Sequence, residues 1–178
     1  MSLKLIEVRK EINRFLESPE PEVLCIHGKW GVGKTFGWKA FLKEAKDRDA
    51  IGLKSYAYVS LFGLDSLDQM KYAIFENSVP VKDIGVEPSV ETLKSNTSGV
   101  VNRLGRKGAW ILSAMPGGKS YMPALQSLAF LSVQGTIVCI DDLERKGTNL
   151  PIRDVLGLIS HLRDQKRCKI VVIMNDEE

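Results

Sequence analysis

The 178-residue sequence has no apolar stretch long enough to cross a membrane, and it contains only three cysteines and two histidines. Two apolar segments, residues 109–115 and 124–133, fall far below the ~20 apolar residues that a membrane-spanning helix requires. The N-terminal residues lack the apolar run and cleavage site of a secretory signal. These absences predict a cytoplasmic protein without a transmembrane segment.

The cysteines are odd in number and lack the spacing of metal ligands, which predicts free thiols in a reducing compartment. They are Cys25, Cys139 and Cys168, and each falls in or beside a predicted buried strand. The excess of positive charge is also small, because 25 Lys and Arg stand against 22 Asp and Glu for a formal net charge of +3. A charge this small does not by itself indicate a nucleic acid or an acidic membrane as the partner.

The sequence does contain a complete phosphate-binding pattern, G-x-x-x-x-G-K-[ST], at residues 28–35. An apolar run at residues 23–26 precedes it and a helical pattern from Thr35 to about Lys46 follows, which is the strand, loop and helix context that the pattern requires. Its glycines let successive backbone N–H groups point at phosphate oxygens, at the positive end of the following helix. The residues predicted to bind nucleotide are Gly28, Lys29, Trp30, Gly31, Val32, Gly33, Lys34, Thr35 and Phe36.

Two of these residues have distinct predicted roles, and a third residue lies far along the chain. Lys34 is expected to reach the β- and γ-phosphates, and Thr35 to hold Mg²⁺ through its hydroxyl. Asp141 follows the continuous apolar run at residues 136–140, which is typical of a strand buried on both faces of a parallel sheet. A carboxylate at that position can orient the water ligands of the metal, as a Walker B acid does. The predicted cofactors are therefore Mg²⁺ and ATP or another NTP.

Three polar residues after Asp141 are candidates for the chemical step. Either Asp142 or Glu144 could position and deprotonate the attacking water, and Asp142 is preferred. The alternative interpretation of these carboxylates is an acidic turn that caps a helix. Arg145 is either an arginine finger that acts on a neighbouring subunit or, as is commoner for such a residue, a structural ion-pair partner.

The long separation between the loop and the acid distinguishes two classes of P-loop protein. In nucleoside-kinase-like enzymes the acidic strand adjoins the strand before the loop. In the additional-strand class another strand lies between them, and its tip carries a polar residue that contacts the γ-phosphate or the water. The apolar run at residues 169–174, followed by Asn175, is typical of that intervening strand. Asn175 is either this sensor residue or a plain loop asparagine, and the sequence leaves both open.

The motifs Gly-Lys-Trp-Gly-Val-Gly-Lys-Thr at residues 28–35 and Ile-Asp-Asp-Leu-Glu-Arg at residues 140–145 together resemble those of the KAP family of P-loop NTPases. That family belongs to the additional-strand class, close to STAND and AAA+ ATPases, and the resemblance covers about residues 23–178. It implies a three-layer α/β/α P-loop NTPase fold with a mainly parallel sheet, and Mg²⁺-dependent binding and hydrolysis of ATP. By analogy alone, it suggests a role in bacterial antiviral or mobile-element systems.

The expected organisation is a single domain over residues 1–178, with an N-terminal helix and linker at residues 1–22 and an insertion at about residues 77–133. The resemblance implies a lid and a last core strand beyond Glu178. The sheet is therefore expected to be incomplete at the C-terminus and to be completed by a further domain, a protein partner or a second copy. Two other functions stay open: a nucleotide-gated interaction module without turnover, and a DNA-handling ATPase of the loader type. The DNA-handling function depends on the basic cluster at residues 103–107.

Overall fold

Five strands form one sheet in the computed structural model, which describes residues 3–85 and 130–176. In chain order they are β1 (Val23–Gly28), β2 (Ser55–Ser60), β3 (Ser78–Pro80), β4 (Thr136–Asp141) and β5 (Lys169–Asn175). Their order across the sheet is β1-β5-β4-β2-β3. Neighbouring strands are parallel except β2 and β3, which are antiparallel. The expected α/β class with a mainly parallel sheet is confirmed.

Four helices with described bounds cover the two faces of this sheet. They are α1 (Leu3–Glu17), α2 (Lys34–Asp47), α3 (Leu67–Glu76) and α4 (Ile152–Lys166). Alternate residues of a strand point to opposite faces. Cys139 of β4 therefore packs in the core beneath α1 and α2, whereas Ile140 packs in the core beneath α3 and α4. The arrangement is compatible with three α/β/α layers.

The position of β5 decides which residues meet at the carboxyl edge of the sheet. β5 lies between β1 and β4, as predicted for the additional-strand class. Because these three strands are parallel, their carboxyl ends reach the same edge. Gly28 is paired in register with Asn175, and Asp141 ends the next strand. The loop, the asparagine and the acid are thereby brought to one edge of the sheet.

The helical spacing of apolar residues in the sequence predicts that five further side chains face the core, but the structure exposes them. They are Leu5, Val8, Phe36, Ala40 and Leu156. In α2 the buried positions are Trp38, Leu42 and Ala45. The Trp38 ring packs edge-on against Phe15, and its indole N–H donates to the hydroxyl of Tyr56 at 3.1 Å. Burial of this large ring turns the Phe36 face of the helix towards solvent.

The sequence patterns were wrong in two other places. Residues 78–80, expected to begin the insertion, instead pair with β2 as β3, a strand too short for alternation to reveal. Cys25 is exposed because β1 lies at an edge of the described sheet, although all three thiols are free and Cys139 and Cys168 are buried. The basic cluster and most of the expected insertion lie outside the described residues. Among the helices of residues 3–85 and 130–176, none is long and apolar enough to cross a membrane.

Lys169 begins β5 with a fully buried side chain. Its Nζ donates to the carbonyl of Ser18 at 2.6 Å and to Oε1 of Glu22 at 2.9 Å, and it lies 4.4 Å from the centre of the Phe15 ring. Arg14 also contacts the Glu22 carboxylate, at 3.1 Å. Burial by itself raises the pKa of Glu22, but hydrogen bonds from the two cations outweigh burial and lower the pKa below its usual value. These contacts tie the segment after α1 to the start of β5.

We expect Glu22→Gln to lower the free energy of unfolding at pH 7 by about 2 kcal/mol, because it removes the carboxylate that faces a buried ammonium. A lowered pKa means that ionised Glu22 stabilises the fold above its ordinary pKa of 4.5, and that this contribution is lost as the pH falls through the folded-state pKa. Urea titrations at pH 7 and at pH 3 should therefore show a larger loss of stability for wild type than for the variant.

The matched control for this variant is Glu11→Gln, because Glu11 forms an exposed ion pair with Arg14. Loss of such a surface pair should change the free energy of unfolding by less than about 0.5 kcal/mol. Equal stability of wild type and Glu22→Gln at pH 7 would show that the buried ammonium does not need its carboxylate.

Candidate nucleotide-binding site

The loop at residues 28–35 leaves β1 and passes directly into α2. Gly31 and Gly33 have φ values of 78° and 86°, in the left-handed region that glycine adopts without strain. The carbonyl of Gly33 accepts from the N–H of Gly37 at 2.8 Å, so the helix begins at once. The N–H groups of the first helical turn have no carbonyl partner within the helix, and the helix dipole favours negative charge beside them. This backbone therefore suits a phosphate group.

Lys34, the first residue of α2, folds back over the loop. Its Nζ donates to the carbonyls of Gly28 at 2.6 Å and Lys29 at 2.8 Å, and to Oδ1 of Asn175 at 2.6 Å. These bonds use all three protons of the ammonium group. The positive charge is thereby held where the loop meets the tip of β5, and an anion could replace one of the three oxygen acceptors.

Thr35 and Asp141, the two predicted metal residues, are in direct contact. Oγ1 of Thr35 donates to Oδ2 of Asp141 at 2.7 Å, and Asp141 is only 5% exposed. The hydroxyl of Tyr58 donates to the same oxygen at 2.8 Å. The N–H of Asp142 donates to Oδ1 at 2.9 Å. Three donors from three segments therefore hold the buried carboxylate in one orientation.

A magnesium ion fits the chemistry of this pair. Mg²⁺ prefers oxygen ligands and is commonly held by one or two carboxylates together with substrate phosphates and water. The bond to Asp141 uses the only proton of the Thr35 hydroxyl and leaves its lone pairs for a metal. Within residues 3–85 and 130–176, no group of three or more His, Cys, Asp or Glu side chains is arranged to hold an ion. A metal at this pair would take its other ligands from the nucleotide and from water.

Asn175 connects Lys34 to Glu144. Its Oδ1 accepts from the Lys34 ammonium, and its Nδ2 donates to Oε1 of Glu144. This orientation of the amide presents an acceptor to the cation and a donor to the carboxylate. These two contacts join the tip of β5 to the first residue of α2 and to the turn after β4.

Asp142 faces a different group of residues. Its Oδ2 accepts from Oγ of Ser60 at 2.6 Å, and its Oδ1 lies 3.8 Å from Nη1 of Arg145. The Arg145 guanidinium in turn lies 4.1 Å from the centre of the Phe62 ring. These contacts join the turn after β4 to the end of β2, and they favour the structural ion-pair role for Arg145. Of the two carboxylates considered as the base, Glu144 is the one that the structure connects to Lys34, through Asn175.

Three apolar residues of the predicted nucleotide-binding set project away from the core. Trp30 is 77% exposed, Val32 is 64% exposed and Phe36 is 81% exposed. Helical spacing predicts that Phe36 faces the interior, whereas the loop motif predicts that it lies in the nucleotide site. Its exposure is compatible only with the second prediction. The aromatic rings of Trp30 and Phe36 are therefore available to a ligand on either side of the glycine-rich turn.

Tyr58 and Ser60 contact the two acidic residues but were not among the residues singled out from the sequence. Both belong to β2, which the sequence marked only as a strand. In the parallel pairing of β2 with β4, Tyr58 lies opposite Cys139 and Ser60 lies opposite Asp141. The sequence signal that could have identified both residues is the placement of hydroxyl-bearing side chains at alternate positions towards the carboxyl end of the strand.

Comparison of the sequence with protein-family models and with curated proteins gives no match. The site is therefore inferred from the chemistry and geometry of this chain. The site has a helix start that favours an anion and an ammonium group beside it. It also has a hydroxyl and a carboxylate that suit Mg²⁺, and a second carboxylate that an amide connects to the ammonium group.

The backbone of Asp142 yields a stability prediction, since its φ of 56° and ψ of 40° lie in the left-handed region. We expect the free energy of unfolding of Asp142→Asn to lie within about 0.5 kcal/mol of the wild-type value, because asparagine tolerates this conformation and its side-chain oxygen can accept a hydrogen bond from Ser60. Asp142→Val should be about 2 kcal/mol less stable, because a β-branched residue is strained there and accepts no hydrogen bond.

Chemical denaturation measures these differences, and Asp142→Gly is the matched control because it removes the side chain without backbone strain. The glycine variant should therefore be more stable than the valine variant. Equal stability of the two would mean that backbone strain does not limit this position.

Proposed function

We propose that this chain is a P-loop NTPase of the additional-strand class that binds Mg²⁺ with ATP or another NTP and hydrolyses the bond between the β- and γ-phosphates. The main supporting observation is the hydrogen bond between Thr35 and Asp141 beside the chain of contacts from Lys34 through Asn175 to Glu144. Residues from three distant segments converge there at the start of one helix. The likeness of the two sequence motifs to those of the KAP family agrees with this proposal.

Each of these groups has one task in the proposed reaction. The N–H groups of the loop and the ammonium of Lys34 bind phosphate oxygens. Thr35 and Asp141 would hold Mg²⁺, which would offset negative charge on the phosphates. Glu144 accepts a proton from water as the water oxygen bonds to the γ-phosphorus. The bond from that phosphorus to the bridging oxygen breaks, and the nucleoside diphosphate leaves.

The wider role that we propose follows from the resemblance to the KAP family. A nucleotide-driven switch that acts on a partner or a further domain is consistent with the resemblance, and so is a place in antiviral or mobile-element systems. The DNA-handling alternative depends on residues 103–107, which lie outside the described part of the chain.

We expect Lys34→Ala to weaken ATP binding by about 10- to 100-fold, because a hydrogen bond from a charged group contributes about 1.5–3 kcal/mol. Isothermal titration calorimetry in Mg²⁺ buffer measures the change. Lys43→Ala is the matched control, because Lys43 is exposed on the same helix. If Lys34→Ala binds ATP as tightly as wild type, the loop is not a phosphate-binding loop.

We expect Glu144→Gln to lower the turnover number by about 100-fold or more while ATP binding is retained, because loss of a general base commonly has that effect. Asp142→Asn should keep most of the activity, since its carboxylate faces Ser60 and Arg145. Phosphate release under saturating ATP measures both.

The opposite result, with activity lost in Asp142→Asn alone, would restore Asp142 as the base. If neither substitution alters turnover or the residence time of the nucleotide, the chain is a nucleotide-gated binding module.

A further inference from the structure

Tyr58 of β2 contacts the Asp141 carboxylate through its hydroxyl and contacts α2 through its ring. Its hydroxyl donates to Oδ2 of Asp141 at 2.8 Å. Its ring faces Lys39, whose Nζ lies 4.5 Å from the ring centre. A cation over an aromatic face restrains the position of the ring. The hydroxyl is thus directed at one oxygen atom of the acid.

That choice of oxygen determines what the carboxylate can still accept. Each carboxylate oxygen has about two lone-pair sites. Oδ2 of Asp141 already accepts from Thr35 and from Tyr58, so both of its sites are used. Oδ1 accepts only the backbone N–H of Asp142 among the bonds of the described residues, which leaves one site. This remaining site on Oδ1 is the one that a metal-bound water can use.

The Tyr58 hydroxyl fills the second lone-pair site of Oδ2, beside the bond from Thr35. Without the bond from Tyr58, Oδ2 would have a free site and the carboxylate could turn either oxygen towards a metal-bound water.

We infer that Tyr58 is a positioning residue for the metal, which saturates Oδ2 of Asp141 and reserves Oδ1 for a water ligand of Mg²⁺. This inference depends on the proposed function. It assigns a specific task to a residue that acts through Asp141 and touches neither nucleotide nor metal. A residue with only a packing role would change stability and would leave the magnesium dependence of nucleotide binding as it is.

The test is Tyr58→Phe, which removes one hydroxyl and keeps the ring. ATP affinity is measured by calorimetry over a series of Mg²⁺ concentrations and again in EDTA, with a thermal melt of each protein. We expect the half-saturating Mg²⁺ concentration to rise about 10-fold, at the lower end of the range found when an outer-shell partner of a metal ligand is lost. ATP affinity in EDTA should stay within about twofold of wild type, because phosphate contacts do not involve Tyr58.

Tyr56→Phe is the matched control, since Tyr56 precedes Tyr58 by two residues on the same face of β2 and its hydroxyl accepts from Trp38. It should lower thermal stability without changing the Mg²⁺ response. If Tyr58→Phe has the wild-type half-saturating Mg²⁺ concentration, or loses ATP affinity equally with Mg²⁺ and in EDTA, the inference about Tyr58 is overturned and the proposed function is not. If the wild-type protein does not bind ATP, or binds it equally well without Mg²⁺, both the proposed function and the inference about Tyr58 are overturned.

Discussion

The buried carboxylate of Asp141 is the group on which the rest of the site depends. A charge at 5% exposure is costly unless hydrogen bonds replace its hydration. Its three donors come from the first turn of α2, from β2 and from the turn after β4. Satisfying this one charge therefore aligns the helix after the phosphate loop with two strands of the sheet. The same bonds that stabilise the fold also set the orientation of the predicted metal residues.

A second set of contacts lies at the same end of α2. There the Lys34 ammonium, the Asn175 amide and the Glu144 carboxylate form a continuous chain. The chain exists because β5 is inserted between β1 and β4, so its tip lies between the loop and the turn after β4. Asp141 ends β4 and Asn175 ends β5, and their side chains contact Thr35 and Lys34 at the start of α2. One edge of a parallel sheet thereby brings an acidic and a basic group together, as the proposed binding of Mg²⁺ with a nucleotide requires.

Local patterns predicted the elements well but assigned several faces wrongly. The strands near residues 23–28, 136–141 and 169–175 were found because runs of buried apolar residues are visible without knowledge of neighbours. The predicted buried face of α2 was wrong, because the rotation of the helix depends on Trp38. The indole of Trp38 packs against Phe15 and donates to Tyr56. The sequence alone could not show that the side chain of Asp142, a residue in the left-handed region, turns towards β2. Contacts across 18 or more positions are not encoded in a local period.

The sequence by itself determined the α/β class and the phosphate-loop pattern, because each requires only residue types at short spacing. It also indicated Asp141 as the partner of Thr35, because that residue ends a continuous apolar run. Tertiary structure decided which side chains meet. It placed Asn175 between Lys34 and Glu144, directed Asp142 towards Ser60, and brought the hydroxyl of Tyr58 to Asp141. The physical reason is that strand order and register set distances between segments, whereas sequence spacing sets only the geometry within each segment.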